Sequence, residues 1–238
     1  MKKILLFLVI TGSISGTAFA QLPAPSDIKM PLPPTIFLTD IQGKRTIDEW
    51  NRREIKGTPF FSESWNTAFI TLADKRSFDK ISVRLNCVNN TLHYLNTKKE
   101  ELVAPDGVIR EIKLIDSSSG GLKEYTFVSG FPAIDKHDEN TFYERQVNGK
   151  AQLLVFTKKK ISEMATMGSI SGEKEYVPVE TVYIYKDGVV SAWKKDRQFI
   201  IDLLSDKKEA ISAYIGSQHL KCKTLGDLKL ILIYYNSL

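Results

Sequence analysis

The chain has 238 residues, with 33 lysines and arginines against 28 aspartates and glutamates, a formal net charge of +5 and 42% hydrophobic residues. That balance is too even, and its lysines too interleaved with acids, for a nucleic-acid-binding protein, whose basic residues gather on one face. Two cysteines exclude a disulfide scaffold, and the chain is long enough to build a core without such staples.

The N-terminus directs the compartment. Met1-Lys2-Lys3 is a short basic start, residues 4–10 (ILLFLVI) are a compact apolar run, and Ala18-Phe19-Ala20 has the A-x-A form of a signal-peptidase site. Residues 1–20 read as a secretory signal peptide cleaved between Ala20 and Gln21. The apolar run is far shorter than the roughly 20 residues that span a bilayer. No cysteine lies beside the cleavage site, which disfavours a lipoprotein. No later stretch reads as a transmembrane segment, since the strongest, residues 228–235, is interrupted by Lys229. The expectation is an exported protein, periplasmic or at the outer surface.

Residues 21–56 begin with QLPAPSDIKMPLPP, where prolines at 23, 25, 31, 33 and 34 remove backbone donors and fix φ. This is a lead-in rather than core, with a short strand at residues 36–38 and a helical turn at 46–50 as its only candidate elements. Residues 57–194 repeat with a period of two. Strands are expected at 65–72, 78–87, 108–114, 125–128, 142–147 and 152–156. A hairpin pairs 176–185 with 189–193 across Lys186-Asp187-Gly188, since Asp-Gly between such runs is a strong turn signal. The intervening ISEMATMGSISGEKE reads as a loop. Its G-S-I-S-G lacks the central serine of a nucleophile elbow.

Residues 195–238 change period. Phe199, Ile200, Leu203 and Leu204 form one apolar stripe. Asp206 with Glu209 has the spacing to cap a second helix, and Thr224 with Asp227 a third. Strands followed by helices give an α+β fold, mostly β: a curved antiparallel sheet or partly open barrel followed by two to three short C-terminal helices that pack on it.

Few residues offer chemistry. In VRLNCVNNTLHYL (residues 83–95), Cys87 lies six residues before His93. If Asn89-Asn90 is a two-residue turn, Cys87 faces Leu92, Leu85 faces Tyr94 and Asn86 faces His93. The cysteine then points inward and the histidine outward, too far apart for a thiolate–imidazole pair. His137 sits in the polar loop Lys136-His137-Asp138-Glu139, whose ligand-type residues are adjacent rather than spaced around an ion. His219 marks a helix end. No zinc spacing and no glycine-rich phosphate loop occurs, so neither metal nor cofactor is expected. The run Lys158-Lys159-Lys160 reads as a solvated strand end. An exported chain permits a bridge between Cys87 and Cys222, and the sequence leaves open whether they are neighbours. Aromatic residues are in surplus, and Trp65, Phe69 and Tyr94 are the candidates to line a ligand site on the sheet.

GTPFF, a tryptophan-bearing strand, ISVRLNCVNNTLHYL and the ending YYNSL together resemble uncharacterised exported proteins of Bacteroidetes. Those carry a G-[ST]-P-[FY] turn before a strand pair with an L-R-Y-N-like segment, here Val83-Arg84-Leu85-Asn86, and a helical tail ending in Tyr-Asn. The resemblance covers residues 55–95 and 195–238. It implies export and carries over no catalytic residue. The expected function is that of a non-enzymatic envelope protein binding an apolar ligand, a glycan or a partner protein. The alternatives are a glycan-acting hydrolase with carboxylates from separate strands, and a structural accessory of an envelope complex.

Overall fold

The computed structural model describes residues 55–117, 121–164 and 173–238. The cleavage site at Ala20 and Gln21, the candidate elements at 36–38 and 46–50, and the centre of the loop between the two longest strands lie outside them.

The described residues form one open eleven-stranded sheet and three C-terminal helices. The strands are β1 (Ile55–Lys56), β2 (Asn66–Leu72), β3 (Ser77–Asn86), β4 (Thr91–Leu95), β5 (Glu101–Val103) and β6 (Ile109–Asp116). They continue as β7 (Lys123–Val128), β8 (Tyr143–Val147), β9 (Ala151–Met164), β10 (Glu173–Lys186) and β11 (Val189–Ala192). Their order is β1-β10-β9-β8-β7-β6-β2-β3-β4-β5, with β11 also on β10. All pairs are antiparallel except β1 with β10. The α+β, mostly β reading therefore holds, with an open sheet.

Local chemistry explains the turns. Asp187 and Gly188 both take positive φ (49° and 83°) and pair Lys186 with Val189 in a two-residue hairpin, matching the strand twist. β9 and β10 are 14 residues each, longer than the sequence pattern indicated. Residues 161–164 and 173–175, read as loop, are paired strand. Their alternation is concealed because charged and apolar residues occur on both faces of this ribbon.

The sheet's two faces are covered differently. Alternate residues of β9 point to opposite sides, so Leu153 joins the helical core while Leu154 joins an aromatic cluster with Phe131, Tyr143, Phe156 and Tyr183. The helices α1 (Arg197–Leu203), α2 (Lys208–Ser217) and α3 (Leu225–Ser237) bury Ile200, Ile211, Ile215, Leu228, Ile231 and Leu232 against Ala151, Leu153 and Ile184. Thr224 caps α3 as expected, accepting from Asp227 N at 3.1 Å. Asp196 caps α1. Asp206 does not cap α2: it lies in a 3₁₀ turn (Ser205–Lys207), where its carboxylate accepts from Tyr235 Oη (2.8 Å) and pairs with Lys186 (3.2 Å).

The terminal Tyr-Asn is structural. Tyr235 secures Asp206, and the Asn236 amide accepts from Ala151 N (2.9 Å) and donates to Ala151 O (2.8 Å). Gly149, at φ +146°, lets this amide approach: a Cβ there would lie 2.4 Å from Asn236 Cγ. The tail is thereby fastened to the start of β9. Cys222 is buried in this helical core, whereas Cys87 is buried at the β3–β4 turn, and both thiols are free. The bridge that export would permit is not formed in this structure.

Candidate functional site

The β3–β4 hairpin differs from its expected register. Asn86 pairs with Thr91, Leu85 with Leu92, Arg84 with His93 and Val83 with Tyr94. The turn is thus the four residues 87–90 rather than Asn89-Asn90 alone. Asn86 Oδ1 accepts from Val88 N (2.9 Å), and Asn90 takes the left-handed conformation at φ 57°. The shift is by an even number of pairings, so the apolar residues keep their face.

Cys87 is inward, with its thiol pushed up to about 11 by burial. It donates weakly to Leu85 O (3.9 Å). His93 is a correction: it is 1% exposed rather than solvated. Residues 59–61 continue the sheet beside β3, through Phe61 N to Leu85 O and Cys87 N to Pro59 O, and the Phe60 ring meets His93 edge-on at 5.1 Å. His93 Nδ1 is 2.6 Å from Glu101 Oε1, whose other oxygen accepts from Arg84 (2.8 Å). The sequence pattern missed this because the covering strand piece and the acid come from distant segments.

The aromatic candidates do not form one site. Tyr94 is core, on the face of Val83 and Ala68. Phe69 is half-buried and alternates with the core residues Ala68 and Ile70, so it lies on the opposite face. Trp65 is also half-buried, with the Arg84 guanidinium 4.2 Å from its ring centroid and the Phe60 ring 4.0 Å from that same cation. That arrangement packs a half-buried arginine rather than opening a cavity.

A cleft among the described residues lies elsewhere. It has a volume of about 670 Å³ between the β3–β4 turn, the loop ahead of β8 and the β9–β10 ribbon. Its walls include Asn89, Lys136, His137, Lys158, Lys160 and Thr181, with Phe156 and Val179 between them. Three interactions assemble it. Asn90 donates from Nδ2 to Phe142 O (3.1 Å) and accepts at Oδ1 from Phe142 N (2.7 Å), bridging 52 residues as a strand neighbour would. Lys159 N donates to Cys87 O (2.9 Å), joining β9 to the turn. Lys159 Nζ donates to Thr58 O (3.0 Å) and to Phe60 O.

Residues 158–160 therefore do two jobs. Lys159 turns inward as an anchor, its pKa lowered by burial despite the nearby Cys87 and Glu63. Lys158 and Lys160 lie on the other side of the strand, exposed at the cleft. This replaces the reading of the run as merely a solvated strand end. The only sequence signal was the run itself, and β9 had to be recognised as continuing through it.

His137 lies at the cleft's inner side. Its ring sits 4.1 Å from that of Phe156, and its Nδ1 is 2.9 Å from Tyr143 Oη. Burial lowers its pKa, and Lys158 adds to this, against Asp135 and Asp138. Tyr183 Oη donates to Asp135 Oδ2 (3.1 Å), and burial raises the Tyr183 pKa to about 12. Both this phenol and that of Tyr143, raised by burial as well, stay protonated near neutrality. Among the described residues no group of three or more His, Cys, Asp or Glu is placed to hold a metal ion. No described helix is long and apolar enough to cross a membrane.

The fold and cleft define a β-rich α+β protein with an open, polar and basic groove on one face of its sheet. No family model, no curated protein and no solved structure matches the chain. Its function is accordingly read from the groove's own chemistry.

Proposed function

We propose that the chain is an exported, non-enzymatic envelope protein that binds a glycan in the cleft between the β3–β4 turn and β9–β10. The observation that carries this reading is the cleft's lining. Asn89, Thr181 and the lysines supply donors for sugar hydroxyls, and the exposed Val179 supplies an apolar patch for ring C–H faces. A purely apolar ligand fits such a wall poorly, because the donors would be desolvated without partners. Among the described residues Asp135 is the one carboxylate lining the cleft, and it accepts from Tyr183. Cleavage of a glycosidic bond by the usual mechanism needs two carboxylates, so the groove favours binding over hydrolysis. The leader pattern of residues 1–20 supports export to the periplasm or outer surface, and kinship with the exported Bacteroidetes proteins belongs to the same proposal.

Native mass spectrometry of the protein purified from its own envelope tests this. A bound saccharide, lost on Thr181→Tyr substitution at the cleft wall, is the expected result. A co-purifying lipid, or a saccharide whose binding ignores that substitution, would overturn it. N-terminal sequencing should begin at Gln21.

A further inference from the structure

Resting on that reading of the cleft, we infer that its glycan is anionic, and that Lys158, Lys160 and Lys136 hold the negative groups. The argument starts from how the β9–β10 ribbon treats its other charges. Lys174 on β10 is answered by Glu163 on β9 (3.4 Å), and Lys56 on β1 by Glu173 (2.6 Å). Not every charge on the ribbon is matched in this way, since Glu175 and Glu180 pair with Ser162 and Thr157. Lys158 and Lys160 differ in lining the cleft, where the residues paired with them are the apolar Val179 and Val177. Lys136 faces them from the loop ahead of β8. Among the described residues none of these three lysines has a carboxylate within ion-pair distance.

Lys158 and Lys160 share one strand face with Lys136 opposite, and among the described residues no ion pair offsets their mutual repulsion. Lys158 and Lys160 are two residues apart on one strand, which spaces them by about 7 Å along the groove. That spacing suits repeated charges on an extended polymer better than one compact anion. Val177 and Val179, across from them on β10 and 38% and 41% exposed, would otherwise be bare apolar surface beside the lysines. Asp135 opposes them with one negative charge, so three lysines against one carboxylate leave the described lining net positive. His137, kept neutral by burial and by Lys158, is available as a hydrogen-bonding group rather than as a fourth cation. An acidic peptide offers the same charges, yet it has few hydroxyls for Asn89 and Thr181.

The test titrates the purified protein with four polymers: polygalacturonate, dextran sulfate, neutral dextran and poly-L-glutamate. The two acidic glycans separate carboxylate from sulfate as the anionic source. At low salt one or both should bind at least about tenfold more tightly than neutral dextran, a difference of the size two or three ion contacts provide. Binding should fall steeply at about 0.5 M salt, where charges are screened within a few ångströms. Lys158→Gln with Lys160→Gln should weaken it by a similar factor at an unchanged unfolding midpoint. Lys207→Gln with Lys208→Gln, on the helical tail, should leave it unaltered. Equal binding of neutral dextran, unaffected by the cleft lysines, would overturn the anionic assignment and leave the glycan reading standing. Poly-L-glutamate as the tightest ligand would overturn both. Equal loss from the two lysine pairs would expose a diffuse charge effect and also overturn the assignment.

Discussion

Asn90→Ala should be among the most damaging single changes to the cleft. The Asn90 amide makes two hydrogen bonds to the backbone of Phe142, at 2.7 and 3.1 Å. Bonds of this kind contribute about 1 kcal/mol each, and their loss also leaves the Phe142 N–H and C=O to find other partners. Asn90 further sits at φ 57°, which alanine adopts at a cost of about 1 kcal/mol. The sum is about 3 kcal/mol. Asn90→Gly loses the same two bonds but keeps the backbone at ease, so it should cost about 2 kcal/mol. Urea unfolding at constant m reads both values. For a chain of this size 3 kcal/mol lowers the midpoint by about 1 M. Because the clamp positions the turn bearing Asn89, glycan binding should fall in both variants. If both remain within about 0.5 kcal/mol of the parent, the clamp does not secure the turn and the argument fails.

Other outcomes follow from the same contacts. Lys159→Met should destabilise by about 2 kcal/mol in the same unfolding assay, since two backbone carbonyls lose a charged donor while the half-buried stem is retained; an unchanged midpoint would show that the anchor is dispensable. His137 has a folded pKa below its ordinary 6.5, so its neutral form is favoured by the fold. Its contribution to stability is complete above about pH 6.5 and is lost as pH falls through the lowered value. His137→Gln should flatten that part of the stability profile, and an identical slope in the variant would contradict the sign. Iodoacetamide at pH 8 should leave Cys87 unmodified in the folded protein, its thiol being buried and raised to about 11. After denaturation without reductant, intact mass should show both cysteines alkylated; no alkylation until reduction would mean that Cys87 and Cys222 are bridged. Gly149→Ala should lower the thermal midpoint by several degrees, because its Cβ would strike the Asn236 side chain that holds α3 to β9; tolerance would mean that this contact relaxes freely.

Much of the fold was legible from local chemistry. Period-two alternation, the Asp187-Gly188 turn and the Thr224 cap each depend on neighbours within a few residues, and each stands where the sequence puts it. The switch to helical periodicity after residue 195 likewise separates sheet from tail. The strand ends were less legible. The continuation of β9 through 161–164 and the start of β10 at 173–175 were concealed because charged and apolar residues alternate on neither face there.

What the sequence determined alone was therefore the element types and which residues of each strand share a face, since backbone geometry imposes these periods locally. Tertiary structure alone decided what covers each face. It buried His93 beneath Phe60 and beside Glu101, sent Tyr94 and Phe69 to opposite sides, and split residues 158–160 between an anchor and a groove. Those outcomes depend on segments 8 to 101 residues apart in the chain, and no local period records which of them will meet.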